Sequence, residues 1–328
     1  MQTHLTDAIL NTPQGQEAEA ILRKCVHCGF CTATCPTYLL LGNELDSPRG
    51  RIYLMKQVLE GEQATKRTQL HLDRCLTCRA CETTCPSGVE YGKLLDIGRE
   101  LVDREVSRKF FDRTMRAMLQ LVVPNTILLK VMMFYAWLVR PILPVSLRTK
   151  IPSKEPTGRW PVTTHLRRMI IHQGCVQRVT KPGINAAAAR YLDANSISAI
   201  RTNDACCGAL GLHLGNRAFF ERYARKNIDA WWPQIESGAE AIVSTASGCG
   251  VTIKDYGDLL KRDPDYADKA RRVSELTVDI SEVAVDAVVP SERKRFARVA
   301  FQSPCTLQHG QKNVNTVEKI LNHHGVDT

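Results

Sequence analysis

The sequence has no uninterrupted apolar run of about eighteen residues, so no stretch reads as an obvious spanning helix. Its first residues, MQTHLTDAILNTPQGQEAEAILRK, lack the basic-then-apolar layout of a secretory signal, which points to the cytosol. There is no phosphate loop, no catalytic triad and no flavin motif. The glycines of GALGLHLG (residues 208–215) are wrongly spaced for a dinucleotide fingerprint. No catalytic residue is therefore named, and nothing in the chain offers a place to oxidise a substrate. An apolar fraction of 44% and a charged fraction of 24% exclude disorder, and 328 residues suit two domains and part of a third.

What the chain has in excess is cysteine. There are 13, an odd number, and eight of them fall in two tight runs, KCVHCGFCTATCP (24–36) and RCLTCRACETTCP (74–86). In a reducing compartment such crowding points to metal rather than disulfides. Each run is C-x₂-C-x₂-C-x₃-C-P, the spacing of bacterial two-cluster ferredoxins, in which the fourth cysteine serves the other cluster. Three thiols at this spacing wrap one cubane, and the fourth leaves on a diverging chain. The expected sets are Cys25, Cys28, Cys31 and Cys85 for one [4Fe–4S] cluster, and Cys75, Cys78, Cys81 and Cys35 for the other. Gly29, Ala33, Ala80 and Gly88 are small neighbours through which backbone N–H groups can approach the sulfurs. Zinc ribbons take two cysteines per knuckle and fit this duplicated pattern less well.

Residues 1–110 read as mostly helical: a leader helix over 1–24, then GRIYLMKQVLEG and TKRTQLHLDR between the runs, entered through Ser47-Pro48-Arg49-Gly50. Residues 111–165 form a basic apolar segment with a Pro-rich, linker-like end. Between Arg104 and Arg168 there are 13 Lys/Arg and 3 Asp/Glu, which equals the chain's whole net charge of +10. Interleaved large apolar residues make nucleic acid a poor fit. Buried helices are one reading. The other is a surface anchor with Met132, Met133, Phe134, Trp137 and Leu138 inward and Lys130, Arg140, Arg148 and Lys150 at anionic headgroups, docking to a membrane or a partner subunit.

From residue 166 to 290 strands and helices alternate, as in an α/β domain with a mainly parallel sheet. RRMIIHQGC, ISAI and EAIVSTASGCG read as strands that deliver Cys175, Cys206-Cys207 and Cys249 to one sheet edge, where open α/β sheets carry their sites. These four are a candidate third metal or cluster site; equally, they are small buried residues, as free cysteines often are. Phe219, Phe220, Tyr223, Trp231 and Trp232 read as a core stripe, and His309 as a helix-face histidine rather than a ligand. ARVAFQSPCTLQHG (297–310) weakly repeats RRMIIHQGCVQRVT (167–180), so 291–328 reads as the start of a second, incomplete unit.

The two ferredoxin runs, DSPRGRIYLMKQVLEG, GC…ACCG…TASGCG, NIDAWWPQIESGAEAIVSTASGCG and SPCTLQH together resemble the iron–sulfur subunits of bacterial glycolate oxidases, within a broader family carrying cysteine-rich CCG domains. The resemblance implies an α+β multidomain chain: an α-helical ferredoxin domain with two [4Fe–4S] sites, an α/β CCG domain, and a second CCG unit truncated after Cys305. It also implies FAD-containing dehydrogenase partner subunits that oxidise glycolate, no flavin on this chain, and electrons passing towards quinone. The expected location is cytoplasmic, peripheral on the inner face of the inner membrane. Lactate and glycerol-3-phosphate dehydrogenase subunits share the pattern, and a stand-alone thiol-redox or metal-binding protein is the other class. The fuller CCG pattern ends C-x-x-C, but Cys249 is followed by Gly250, Val251 and Thr252.

Overall fold

The computed structural model describes residues 1–284, 298–323 and 325–328. The chain forms two compact units: Met1–Thr114 with Gly211–Arg217 and Gln308–Lys312, and Met115–Leu210 with Ala218–Leu307 and Asn313–Thr328.

The main segment of the first unit is helical. The leader is two helices, α1 (Asp7–Leu10) and α2 (Pro13–Lys24), because Thr12 caps α2 through its hydroxyl on Gly15 N and Pro13 starts the turn. After the first cysteine run come α3 (Pro36–Leu41) and α4 (Pro48–Leu59). The expected entry at Ser47 is a true N-cap: its hydroxyl accepts from Gly50 N at 2.9 Å. Thr65 and Thr68 form a reciprocal capping box that opens α5 (Lys66–Asp73). The second run contains α6 (Ala80–Thr84) and leads into α7 (Tyr91–Glu105). The apolar face of α7, with Leu94, Leu95 and Val102 at helical spacing, packs on α2, α4 and α5, burying Leu22, Ile52, Met55, Leu59 and Leu72. This core is the wall on which both cysteine runs rest.

Next are α8 (Phe110–Val122), α9 (Thr126–Val139) and α10 (Val145–Arg148). Asn125 caps α9 by accepting from Ile127 N and Leu128 N, both at 3.1 Å. No single helix among the described residues is long and apolar enough to cross a membrane. The apolar residues expected to face a membrane or partner divide between surface and interior. Leu129 and Met133, with half-buried Trp137, pack on Val179, whereas Met132, Phe134 and Leu138 are exposed. One helix cannot turn neighbouring residues to the same side, and the buried stripe is 129–133–137.

The second unit holds a four-stranded, wholly parallel sheet in the order β2-β1-β3-β4. β1 (Arg167–His172) is followed by α11 (Gln177–Thr180) and α12 (Pro182–Ala194), β2 (Ile197–Ile200) by α13 (Ala209–His213) and α14 (Arg217–Glu236), and β3 (Ala241–Ser244) by α15 (Ser247–Lys254), α16 (Tyr256–Leu259) and α17 (Ala267–Leu276). β4 (Thr277–Asp279) and α18 (Ile280–Ala284) were not foreseen from sequence. All of β3 is buried, as expected of a parallel strand covered on both faces. Phe219, Phe220 and Trp231 are core residues, while Tyr223 and Trp232 are half-buried. Cys249 lies in the first turn of α15 rather than at a strand end, because β3 stops at Ser244 and Ser247 already begins the helix. Of the expected repeat, Ala297 and the boundary at 290/291 lie outside the described residues. Residues 299–304 form no strand; Arg298 makes one isolated bridge to Asp327, and the helical part follows as a short π-helical turn over Thr306–Gly310 and then α19 (Thr316–His323).

Candidate metal centres

The two ferredoxin runs repeat one backbone path. The residue before the second cysteine and the residue after it are left-handed in both: His27 (φ 58) and Gly29 (φ 87) in the first, Thr77 (φ 55) and Arg79 (φ 60) in the second. Three of these four are not glycine, and such a conformation costs about 1–3 kcal/mol each. Alternating handedness turns successive N–H groups inward to form a nest for a negatively charged group. Of the expected small neighbours Gly29 and Gly88 share this conformation and Ala33 and Ala80 do not, while His27, Thr77 and Arg79 adopt it without being glycine. The signal was only the position within the repeat, because histidine, threonine and arginine carry no preference for it.

Cys25, Cys28, Cys31 and Cys85 line one cavity, with His27, Phe30, Arg49, Ile52 and Val89 around them. Cys35, Cys75, Cys78 and Cys81 line a second, with Thr37, Arg51, Leu76 and Arg79. Cys81, Pro48 and Tyr91 border both. Each expected set is thus brought together, including its crossed member.

The donor set suits a polynuclear cluster. Among the described residues no three His, Cys, Asp or Glu side chains converge as ligands of a single metal ion. Four thiols spread around a cavity match a group that takes one thiolate at each of several irons. Burial, reinforced by a neighbouring cysteine thiolate, pushes Cys31 up to about 11, and burial with the charges of Glu82 and the neighbouring cysteines raises Cys81 as well. Such thiols need a cationic centre to hold them as thiolates. The Tyr91 hydroxyl is buried with no oxygen or nitrogen partner and has Cys75 as its neighbour, and His27 Nε2 is likewise buried and unpartnered. Both are donors available to cluster or cysteine sulfur. Val89 N already donates to Cys85 Sγ at 3.5 Å.

Behind the second cavity lies a charged network that sequence reading missed. Arg51 and Asp46 are 1% and 0% exposed. Arg51 Nε donates to the His71 carbonyl (2.7 Å), Nη2 to Thr37 Oγ1 (3.1 Å) and Asp46 Oδ1 (3.5 Å), and Nη1 lies 4.0 Å from Cys35 Sγ. Asp46 also accepts from His71 Nδ1 and Arg74 Nη1, both at 2.9 Å. Burial alone would raise its carboxyl, but these partners hold it below the usual range. Arg99, also buried, donates through Nη2 to the Leu72 and Cys75 carbonyls, both at 2.9 Å.

In the second unit Cys175, Cys206, Cys207 and Cys249 meet at the carboxyl edge of the sheet, their thiols in contact in that order. Asn227 and Tyr256 fix the Cys206-Cys207 backbone: Asn227 Nδ2 donates to the Cys206 carbonyl and Tyr256 Oη to the Cys207 carbonyl, both at 2.8 Å. Gly208 takes φ +88 there, and a Cβ would meet the Phe220 ring at 2.8 Å. Contact with Cys175 lowers the Cys206 thiol, but contact with Cys207 and burial outweigh it and push it up to about 12. Asp204, fully buried two residues earlier, pairs with His172 Nδ1 (2.6 Å) and Arg178 Nη2 (3.1 Å).

Residues 21–89 match the 4Fe-4S dicluster domain and residues 169–254 the cysteine-rich domain. The glycolate oxidase iron–sulfur subunit of Escherichia coli is 52% identical over 98% of this chain and 80% of its own length. The chain belongs to the glycolate oxidase iron–sulfur subunit family. A probable glycolate oxidase iron–sulfur subunit of Bacillus subtilis is 30% identical over 82% of this chain and 66% of its own length. An uncharacterised iron–sulfur protein of Methanocaldococcus jannaschii is 25% identical over 51% of the chain and 31% of its own length. No solved structure matches at a significant level. Family membership accounts for both cysteine-rich halves: a mostly helical dicluster domain followed by a cysteine-rich domain on a small parallel sheet.

Proposed function

We propose that this chain is the electron-transferring subunit of a flavin-dependent glycolate dehydrogenase complex. It holds one [4Fe–4S] cluster on Cys25, Cys28, Cys31 and Cys85 and another on Cys35, Cys75, Cys78 and Cys81. When bound, such clusters take up and release single electrons. The observation that carries the reading is the crossing: each cavity is lined by three thiols of one run and the last thiol of the other, the first being bordered by Cys81 as well. Cys81 borders both cavities, so the two sites are close neighbours and electron exchange between them needs no other carrier.

The chain's own residues supply ligands, donors and shielding. His27 and Tyr91 offer buried donors, Phe30, Ile52 and Val89 line the first cavity with apolar surface, and Arg51 sits behind the second. FAD-containing partner subunits oxidise the 2-hydroxy acid and deliver its electrons here; quinone at the inner face of the membrane takes them away. The exposed stripe Ile127, Val131, Phe134 and Leu138 on α9, with the basic residues around it, supports peripheral membrane association. The contiguous thiols of Cys175, Cys206, Cys207 and Cys249 are proposed as a third iron–sulfur or metal site.

Anaerobic iron and sulfide counting on the full chain, followed by EPR during glycolate titration with the flavoprotein subunits present, tests the reading. The expected result is four irons and four sulfides for each of the two sets, and cluster signals that grow as glycolate is added. Zinc without sulfide would remove the cluster assignment. Intact clusters that stay oxidised would remove glycolate as the source of electrons.

A further inference from the structure

The two cavities differ in the charge buried beside them. At the first, Lys56 is neutralised by its pair Glu60 at 2.5 Å, and the other positive groups are Arg49, whose side chain is 34% exposed and paired with Glu44 at 2.7 Å, and the Met1 ammonium, half-buried against the Cys25 carbonyl. Water and counter-ions screen both. At the second, Arg51 is 1% exposed and Arg99 5%. A guanidinium cannot give up its proton, so these charges are permanent. The one fully buried carboxylate there, Asp46, is shared: its Oδ2 is taken by Arg74 and its Oδ1 by His71, with Arg51 at 3.5 Å. Glu82, whose charge also acts on Cys81, converges on Gly92 together with Arg79. Arg51 and Arg99 therefore leave the second cavity with a positive field that solvent does not erase. Arg51 Nη1, moreover, lies 4.0 Å from the thiol of Cys35, one of its four candidate ligands.

We propose that Arg51 holds the site of Cys35, Cys75, Cys78 and Cys81 at the higher reduction potential, so that an electron entering the domain comes to rest there rather than on the site of Cys25, Cys28, Cys31 and Cys85. This rests on the two-cluster reading above. Reduction adds one negative charge to a site, and a nearby buried cation stabilises that added charge while a screened one does little. A charge-assisted hydrogen bond to a ligating sulfur acts in the same direction. Arg51 is a positioning residue in this scheme: it exchanges no electron and acts through field and hydrogen bond alone. Its consequence is a direction of flow, from the first cysteine run to the second.

The test is an anaerobic potentiometric titration of the holoprotein followed by EPR. Two one-electron transitions are expected, and the one at higher potential belongs to the signal altered by Cys78→Ser, not by Cys28→Ser. Arg51→Met lowers that transition alone. It shifts the equilibrium for electron exchange between the sites at least tenfold, about 59 mV for one electron. Arg51→Lys, which keeps the charge, retains most of the difference. Two transitions in the reverse order would overturn the proposal and leave the two-cluster reading standing. So would Met and Lys variants that titrate alike. If Arg51→Met does not fold, the order in the unsubstituted protein and the Arg51→Lys titration still decide. Fewer than two transitions would sink the two-cluster reading itself, and this inference with it.

Discussion

Cys35 and Cys85, each the last cysteine of its run, line each other's cavity: Cys35 faces the thiols of the second run and Cys85 those of the first. Serine at Cys85 is therefore expected to damage the site begun at Cys25 and leave its neighbour intact. Iron analysis and EPR of Cys85→Ser check this, and selective loss of the Cys75-side signal would contradict the crossed arrangement.

Asp204 is the buried anion beneath the cysteines of the second unit. Burial alone would raise its carboxyl, but the approach of His172 Nδ1 to 2.6 Å, followed by the charge of Arg178, holds it below the usual carboxylate range. Its contribution to stability is then fully present above about pH 3.9, the ordinary value for aspartate, and fades as pH falls through its depressed folded value. Asp204→Asn breaks a buried pair and is expected to cost about 3–5 kcal/mol at neutral pH. Urea denaturation of the full chain at pH 7 and again near pH 3 measures it: the gap between the two proteins should narrow in acid. A gap that widened would mean the carboxyl is not stabilised as the anion.

Gly50 lies in the first turn of α4, where an added Cβ would fall on the Glu44 carbonyl and within 2.9 Å of Leu45 Cα. Backbone, not a flexible side chain, blocks the space. Gly50→Ala should cost about 1–3 kcal/mol by overpacking. It should also weaken the Ser47 cap, which depends on Gly50 N. A melting temperature equal to that of the unsubstituted protein would show that the 44–46 turn can move aside.

The proposed membrane association has a direct check in Arg148 and Lys150, both exposed beside apolar Val145 and Leu147. Arg148→Glu with Lys150→Glu is expected to reduce co-sedimentation with vesicles containing anionic phosphatidylglycerol, and to leave binding to neutral phosphatidylcholine unchanged. Equal sedimentation of the two proteins on anionic vesicles would remove the electrostatic part of the proposal.

The cysteine sets could be read from spacing because most of each set lies within one short loop and the loop occurs twice. The same locality exposed the helix entry at Ser47, whose cap acts within three residues, but not the Thr12 cap that divides the leader into two helices. Arg51, Asp46 and His71 were invisible for the opposite reason. They come from α4, the turn before it and α5, and nothing in DSPRGR or HLD says that a full charge will be buried. Left-handed backbone at Thr77 and Arg79 was hidden as well, since the cavity geometry imposes it against residue preference. In the second unit the alternation of strands and helices and the parallel sheet followed from the pattern, but Cys249 was placed by the Ser247 helix start rather than by the strand before it. The charge excess between Arg104 and Arg168 could be counted; which apolar residues of α9 face inward could not, because Val179, far along the chain, chooses the stripe.

The exchange of terminal cysteines also bears on how such a chain is made. While the chain is synthesised from its amino end, the first loop has three thiols and an open side until residue 85 has emerged and folded back. Cys35, meanwhile, has no companions until residues 75–81 arrive. Neither half offers a finished cage early, so iron loading is expected to wait for the whole domain. The leader helix α2, α4 and α7 would then meet before metal is locked in, and a half-made chain would have no closed site in which to trap it.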